Sequence, residues 1–296
     1  MIQTLLSGQL LVAAILIGTT YAAVGLGLNL VYGTMRLLNV AHGDIVMLGA
    51  YVTLLLFVNF GVSPLIGALL AGAGGAVFGA VLYYGLLQKF MQSRRAMKRT
   101  EANSLLIFVG VAVILENVVT LVFTGTPRGY AYLDTVYRFG DTAITGNRLA
   151  AFIIAAAICA GVLLFLRFSI IGLAIKALIQ RKEAAIVVGV DVKRIELLAV
   201  CLGFGTAGIV GALVSMTEQI SPFMGFPFTI AAFVVIILGG LGNLAGGMLA
   251  GMLFGVLQTY GVALTSPSWA SILLYGFFVA ALLIRPEGLL VRTGIR

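Results

Sequence analysis

The sequence predicts an all-α integral membrane protein with about eight to nine transmembrane helices, broken helices and an internal repeat. Three observations carry this expectation. Hydrophobic residues make up 61% of the 296-residue chain and charged residues only 9%, against roughly 45–50% and 25% in soluble domains. Mean hydropathy is +1.15. The apolar residues also fall in continuous runs of the length, about 20 residues, at which a helix crosses a hydrocarbon core of about 30 Å. The runs lack the alternation of barrel strands, and an open sheet cannot satisfy its backbone in lipid.

The runs cover 9–33, 44–59, 64–88, 104–123, 149–168, 197–217, 228–261 and 271–284, within a single transmembrane domain spanning 1–296. The first charged residue is Arg36, so the run from Gln9 to Val31 has no basic flank of a secretory signal and reads as a retained span. Basic residues then orient the chain. The connection 89–103 carries Lys89, Arg94, Arg95, Lys98 and Arg99, the connection 167–196 carries six more, and the tail carries Arg285, Arg292 and Arg296. These are expected in the cytoplasm. The connection 124–148, rich in Gly and Tyr, has Arg128, Arg138 and Arg148 offset by Asp134 and Asp141, and is expected outside.

Parity places the N-terminus outside and the C-terminus in the cytoplasm, and it requires an odd number of crossings in 228–284. One helix over 228–261 would be about 51 Å long, too long for an ordinary span, so two segments separated at "GGLGN" (Gly239–Asn243) are expected. The net charge of +8 is explained by topology and not by nucleic acid, since the cations sit in gaps between apolar runs. Cys159 and Cys201 lie in separate apolar runs without metal-ligand spacing and read as packing residues.

Two interruptions share the pattern Asn-x-Ala-x-Gly: "NVAHG" (Asn39–Gly43) and "NLAGG" (Asn243–Gly247). They fall near corresponding places in the two halves, as in a repeat whose broken helices meet at a central pathway. Unpaired amides at such breaks can stabilise an anionic ligand group. Asn39, His42, Asp44, Gly239, Gly242 and Asn243 are therefore candidate translocation-pathway residues, with a structural role for His42 and capping for Asp44 as the simpler alternatives. Glu116, deep in 104–123, joins them as a pathway-lining or helix-pairing carboxylate, because lipid exposure would cost a few kcal/mol. Gly72, Gly74, Gly75 and Gly79 read as close helix packing, and Glu218 as a solvated helix end.

The longest basic connection, 169–196, holds an apolar stripe of Ala174, Ala177, Leu178, Ala185 and Val188 interleaved with Lys176, Arg181, Lys182 and Glu183. It predicts a short amphipathic helix ended by Gly189, with Asp191 capping the next helix. Its small residues Ala184 and Ala185 suit a partner's groove better than lipid. "GLGNLA" (Gly240–Ala245) formally fits a dinucleotide fingerprint but follows no soluble strand, and there is neither a phosphate loop nor a catalytic constellation.

With these features in view, "YAAVGLGLNLVYGTMRLLNVAHGDIVMLGAY", "EAAIVVGVDVKRIE", "VVIILGGLGNLAGGMLAG" and "LLIRPEGLL" resemble, in order, the motifs of the branched-chain amino-acid ABC transporter permease family, most closely its LivH-type subunit. The likeness extends over most of the chain. Val40 stands where the family commonly has a bulky aromatic, and Asp44 where Glu is more usual.

The resemblance implies a bacterial or archaeal inner-membrane permease without enzymatic activity, and substrates that are branched-chain or related amino acids, amides or urea. It also implies a homologous second permease, two cytoplasmic ABC ATPases holding ATP and Mg, and an extracytoplasmic binding protein, with no cofactor on this chain. Arg181, Glu183, Ala184, Ala185 and Gly189 would fall in the ATPase-docking loop. The competing reading is a stand-alone ion-coupled secondary transporter of a small polar solute, using His42, Asp44 or Glu116.

Overall fold

A computed structural model describes residues 7–92, 100–140 and 142–284. Arg94, Arg95, Lys98, Arg99, Asp141 and the tail arginines Arg285, Arg292 and Arg296 lie outside the described residues, as does most of the terminal "LLIRPEGLL" motif. Among the described residues, eight helical stretches are long and apolar enough to cross a membrane.

Helix α1 (Gly8–Met35) is hydrophobic all round and buried almost continuously from Gly18 onward, the signature of a central helix. It ends where Arg36 turns left-handed at φ 55°, its N–H donating to the Tyr32 carbonyl and its guanidinium lying over the Tyr32 ring. After an unwound segment, α2 (His42–Phe60) follows. Next comes α3 (Pro64–Leu82), extended by a π-helical turn over Tyr83–Leu87 and a further helical turn over Gln88–Gln92. Helix α4 (Thr100–Phe123) is mostly exposed in this chain, leaving its apolar surface for lipid or a neighbouring subunit.

A short antiparallel hairpin, β1 (Val136–Phe139) and β2 (Thr142–Thr145), pairs Val136 with Thr145 and Phe139 with Thr142. No strand is legible there in the sequence, because four-residue strands carry too little periodicity. The hairpin is tied to the start of α1, where the Gln9 amide donates to the Ala143 carbonyl at 2.9 Å and accepts from its N–H at 2.8 Å. Nearby, Arg128 and Ile220 exchange backbone bonds of 2.8 Å. This end of the bundle is the hairpin face.

Helix α5 (Gly146–Phe168) leads to the opposite, basic face, where α6 (Ile170–Gln180) and α7 (Lys182–Val187) form the long connection. The single amphipathic helix expected there is two helices, because Arg181 is extended at φ −152°. Helix α8 (Val192–Ser215) returns to the hairpin face through the middle of the molecule. A 3-10 turn at Pro222–Met224 then starts α9 (Gly225–Gly239), which ends before α10 (Leu244–Leu264) and α11 (Pro267–Ile284). The 228–261 run is thus two helices, parted by left-handed Gly240 (φ 92°) and Gly242 (φ 83°).

Small residues set the helix spacing. Met252, Gly251 and Gly255 of α10 lie against Gly18 and Ala22 of α1, and Gly203 of α8 against Gly27, leaving no room for a Cβ. In lipid, such close backbone approach provides the dispersion contacts that hydrophobicity does not. Gly72, Gly75 and Gly79 of α3 meet Ile209 and Phe204 of α8 in this way, whereas Gly74 faces open space and makes no such contact.

Candidate functional site

The first break is a re-entrant strand of chain. Met35 ends α1 near the basic face, where Gly33 touches Ile179, yet His42 Nε2 lies 3.0 Å from the carbonyl of Val24. Eleven helical residues separate Val24 from Met35, about 16 Å along the axis. The segment 36–41 must climb back that distance, which uses most of its extended reach of about 20 Å. On the way, the Leu38 N–H donates to Ser104 Oγ of α4 at 3.0 Å.

One hydroxyl holds the top of this segment. Thr229 Oγ1 of α9 donates to the Val40 carbonyl at 2.8 Å and accepts from the Gly43 N–H at 2.9 Å. Gly43 is obligatory here, because a Cβ would overlap the Gly225 carbonyl oxygen and stand 2.7 Å from the Thr229 nitrogen. Asp44 does not cap α2: the cap position is Ala41, without a side-chain cap, and Asp44 sits buried inside the first turn. There its carboxylate complements the helix dipole. Asn39 is fully buried, and among the described residues neither its side-chain oxygen nor its nitrogen has a partner; the same holds for His42 Nδ1.

Asn29 of α1 holds the second break in the same manner. Its amide nitrogen donates to the Asn243 carbonyl at 3.0 Å and its oxygen accepts from the Gly242 N–H at 2.8 Å. Asn243 caps α10, its Oδ1 accepting from Gly246 N–H at 3.0 Å, and Gly239 lies directly against Gly246 and Gly247. Both Asn-x-Ala-x-Gly stretches are therefore helix breaks, each clamped by a polar side chain of the other broken pair. The amides of Gly43, Gly242, Gly246 and Gly247 are occupied within the breaks themselves.

Asn39, His42 and Asp44 form one group with Thr229, and Gly239, Gly242 and Asn243 another with Asn29. Glu116 is half-buried on α4, its backbone carbonyl accepting from Thr120 Oγ1 at 2.7 Å, and no side-chain contact joins it to either group among the described residues.

At the basic face, α6 links the breaks to the surface. Ile179 occupies the space a Cβ would need on Gly33 (3.1 Å) and on Gly242 (3.2 Å), touching the chain beside both breaks. Lys182 pairs with buried Glu196 at 2.6 Å, and Tyr83 donates to the Lys193 carbonyl at 2.9 Å, fixing the protrusion to α8 and α3. Gly189 is left-handed at φ 84°, and Asp191 Oδ1 accepts from Arg194 N–H at 3.2 Å, so the expected stop and cap are present.

The apolar stripe differs from expectation at its end. Ile175, Leu178 and Ala185 are buried, with Ala174 and Ala177 packed against them, but Val188 points outward. Ala185 is thus an internal contact. Arg181, Glu183, Ala184 and Gly189 are exposed, and Ile186, Val187 and Val188 form an exposed apolar ridge at 55%, 86% and 76%.

A cavity of about 100 Å³ opens at the hairpin face between α1, the start of α5, the α8–α9 turn and α9. Leu16, Ile17, Leu213 and Phe228 line it on the apolar side, and Arg148, Thr217 and Glu218 on the polar side. Arg148 and Glu218 are both exposed, Glu218 at the solvated helix end expected of it; partial loss of hydration pushes the Glu218 carboxyl above the usual carboxylate range, and the Arg148 charge opposes that shift. Neither residue stands out in the sequence, since each reads as an ordinary charge at a helix end.

The chain matches the family described as branched-chain amino acid transport system / permease component over residues 10–282. It is 27% identical to the high-affinity branched-chain amino acid transport system permease protein BraD of Pseudomonas aeruginosa, with 97% of this chain and 96% of the relative covered. Against LivH of Escherichia coli, similarly titled, identity is 26% with 94% of each chain covered. A further likeness, 26% over 92% of this chain and 68% of the relative, is to LivM of Escherichia coli, another permease protein of such a system. No solved structure matches. With motifs, broken helices and a match over nearly its whole length in agreement, the chain belongs to the family of branched-chain amino acid transport permease components.

Proposed function

We propose that the chain is one permease of an ABC importer for branched-chain or related amino acids, moving substrate by alternating access that partner ATPases drive. The observation that carries this reading is the protrusion on the basic face. A six-residue helix with Ile186, Val187 and Val188 exposed, between the polar Arg181 and Glu183 and the turn at Gly189, suits an apolar groove with a polar rim on another protein. Covering these side chains is worth roughly 1.5–3 kcal/mol each at full burial.

Ile179 supplies the coupling. Because it touches the chain beside both breaks, a displacement of α6 and α7 by a partner reaches both at once, while packed helices move as bodies. The basic face is then cytoplasmic, and the hairpin face receives substrate from a binding protein. ATP and Mg belong to two ATPase subunits, and a homologous permease such as the LivM-like relative completes the pathway.

Val187→Glu tests the reading. It places a charge on the ridge without touching the packed side of α7, so membrane insertion should be normal while uptake of labelled leucine, isoleucine or valine is lost. Normal uptake by this variant contradicts docking at the ridge.

A further inference from the structure

We propose that the cavity at the hairpin face is a receiving site for one zwitterionic aliphatic amino acid, with Arg148 on the α-carboxylate, Glu218 on the α-ammonium, and Leu16, Ile17, Leu213 and Phe228 around the side chain. The inference rests on the amino-acid importer reading and adds to it the residues that take the substrate on entry.

Size, charge and position each support the assignment. By the same measure of space a single water needs about 10–15 Å³, so about 100 Å³ admits a body of several heavy atoms. Arg148 and Glu218 face one cavity and sense each other's charge. They do not close an ion pair, for the one within 4.0 Å among the described residues is Lys182 with Glu196. Opposite charges lining one small cavity are complementary to a ligand whose two opposite charges are joined through a single carbon. Beside them lies an aliphatic and aromatic wall, the apolar lining with few polar groups that small-molecule sites share.

The position links arrival to movement. Phe228, at the cavity, precedes Thr229, whose hydroxyl holds Val40 and Gly43 of the first break. Tyr21, also lining the cavity, packs edge-on against Phe254 of α10 at 4.8 Å and tilted on Phe228 at 6.2 Å. An occupant therefore touches helices from both broken pairs.

The test is leucine uptake by the complete transporter in proteoliposomes, with ATP enclosed. Arg148→Gln and Glu218→Gln should each raise KM for leucine by about tenfold or more, as expected for loss of a charge-assisted contact. Arg148→Gln should also lose the preference for leucine over leucinamide, which lacks the carboxylate. Ile17→Trp, which fills the cavity from its apolar side without altering a charge, reads the site independently of those two variants and should raise the same KM. Unchanged KM values with intact leucine preference overturn the site. If wild-type uptake proves independent of ATP, the importer reading fails, and the same KM shifts would still decide the site.

Discussion

Thr229 bridges the two broken helix pairs through one oxygen, and replacing its hydroxyl isolates the contribution. Thr229→Val keeps the volume but leaves the Val40 carbonyl and the Gly43 N–H, both served by this one oxygen, without partners in a buried site. Each such loss costs about 1–3 kcal/mol. Thermal unfolding in detergent should show a clear fall in midpoint, and an unchanged midpoint would mean that water replaces the hydroxyl.

Glu218 gives a pH signature. Its carboxyl is raised by loss of hydration, with Arg148 opposing, so as pH falls it takes up a proton earlier than an ordinary carboxylate and loses its hold on an ammonium group. Uptake should decline toward acid from above the usual carboxylate range, and Glu218→Gln should flatten that limb. Arg148 and Tyr21 are the other ionisable side chains lining the cavity.

At the residue scale the sequence was informative where polarity was out of place. Asn39, His42 and Asp44 interrupt an apolar run, and the structure gathers them at a break. Thr229 was illegible, since a hydroxyl within an apolar helix is common and its partners lie 189 and 186 positions away. Asn29 was equally hidden inside α1, although an amide in the middle of a span is a signal in its own right.

Among elements, the paired breaks decide the architecture. The first demands that α2 start level with Val24, and only glycine at positions 43 and 225 permits α2 and α9 to meet there. Gly43→Ala would drive a methyl into backbone, which cannot yield as a flexible side chain does. Overpacking of this kind costs about 1–3 kcal/mol or displaces the break, so reduced stability together with impaired uptake is expected.

The length of the 228–261 run signalled its division, since one helix would overshoot the hydrocarbon thickness. The protrusion was less legible. Periodicity could not foresee that Arg181 is extended, and with the helix split there Val188 leaves the buried stripe. The exposed surface is accordingly the ridge Ile186–Val188 with Ala184, while Ala185 is buried beneath it.

For the whole molecule, the importer proposed above has the hairpin outside and α6–α7 in the cytoplasm. Single cysteines at Gly140 and Val187, both exposed, should react with an impermeant thiol reagent from opposite sides of the membrane. Native Cys159 is buried and Cys201 half-buried, which keeps the background low. Reaction of both from the same side contradicts the topology.

In the proposed importer, force applied at the ridge would pass through Ile179 to both breaks. Ile179→Ala should leave the complex assembled and hydrolysing ATP while lowering the leucine moved per ATP several-fold. The most direct test of the central claim is uptake of labelled leucine by the purified complex in proteoliposomes, measured with and without enclosed ATP and with the binding protein outside. Accumulation that requires both ATP and binding protein is the predicted result. Accumulation that follows an ion gradient without ATP would contradict it, and would move Asp44 and Glu116 to the centre of the mechanism.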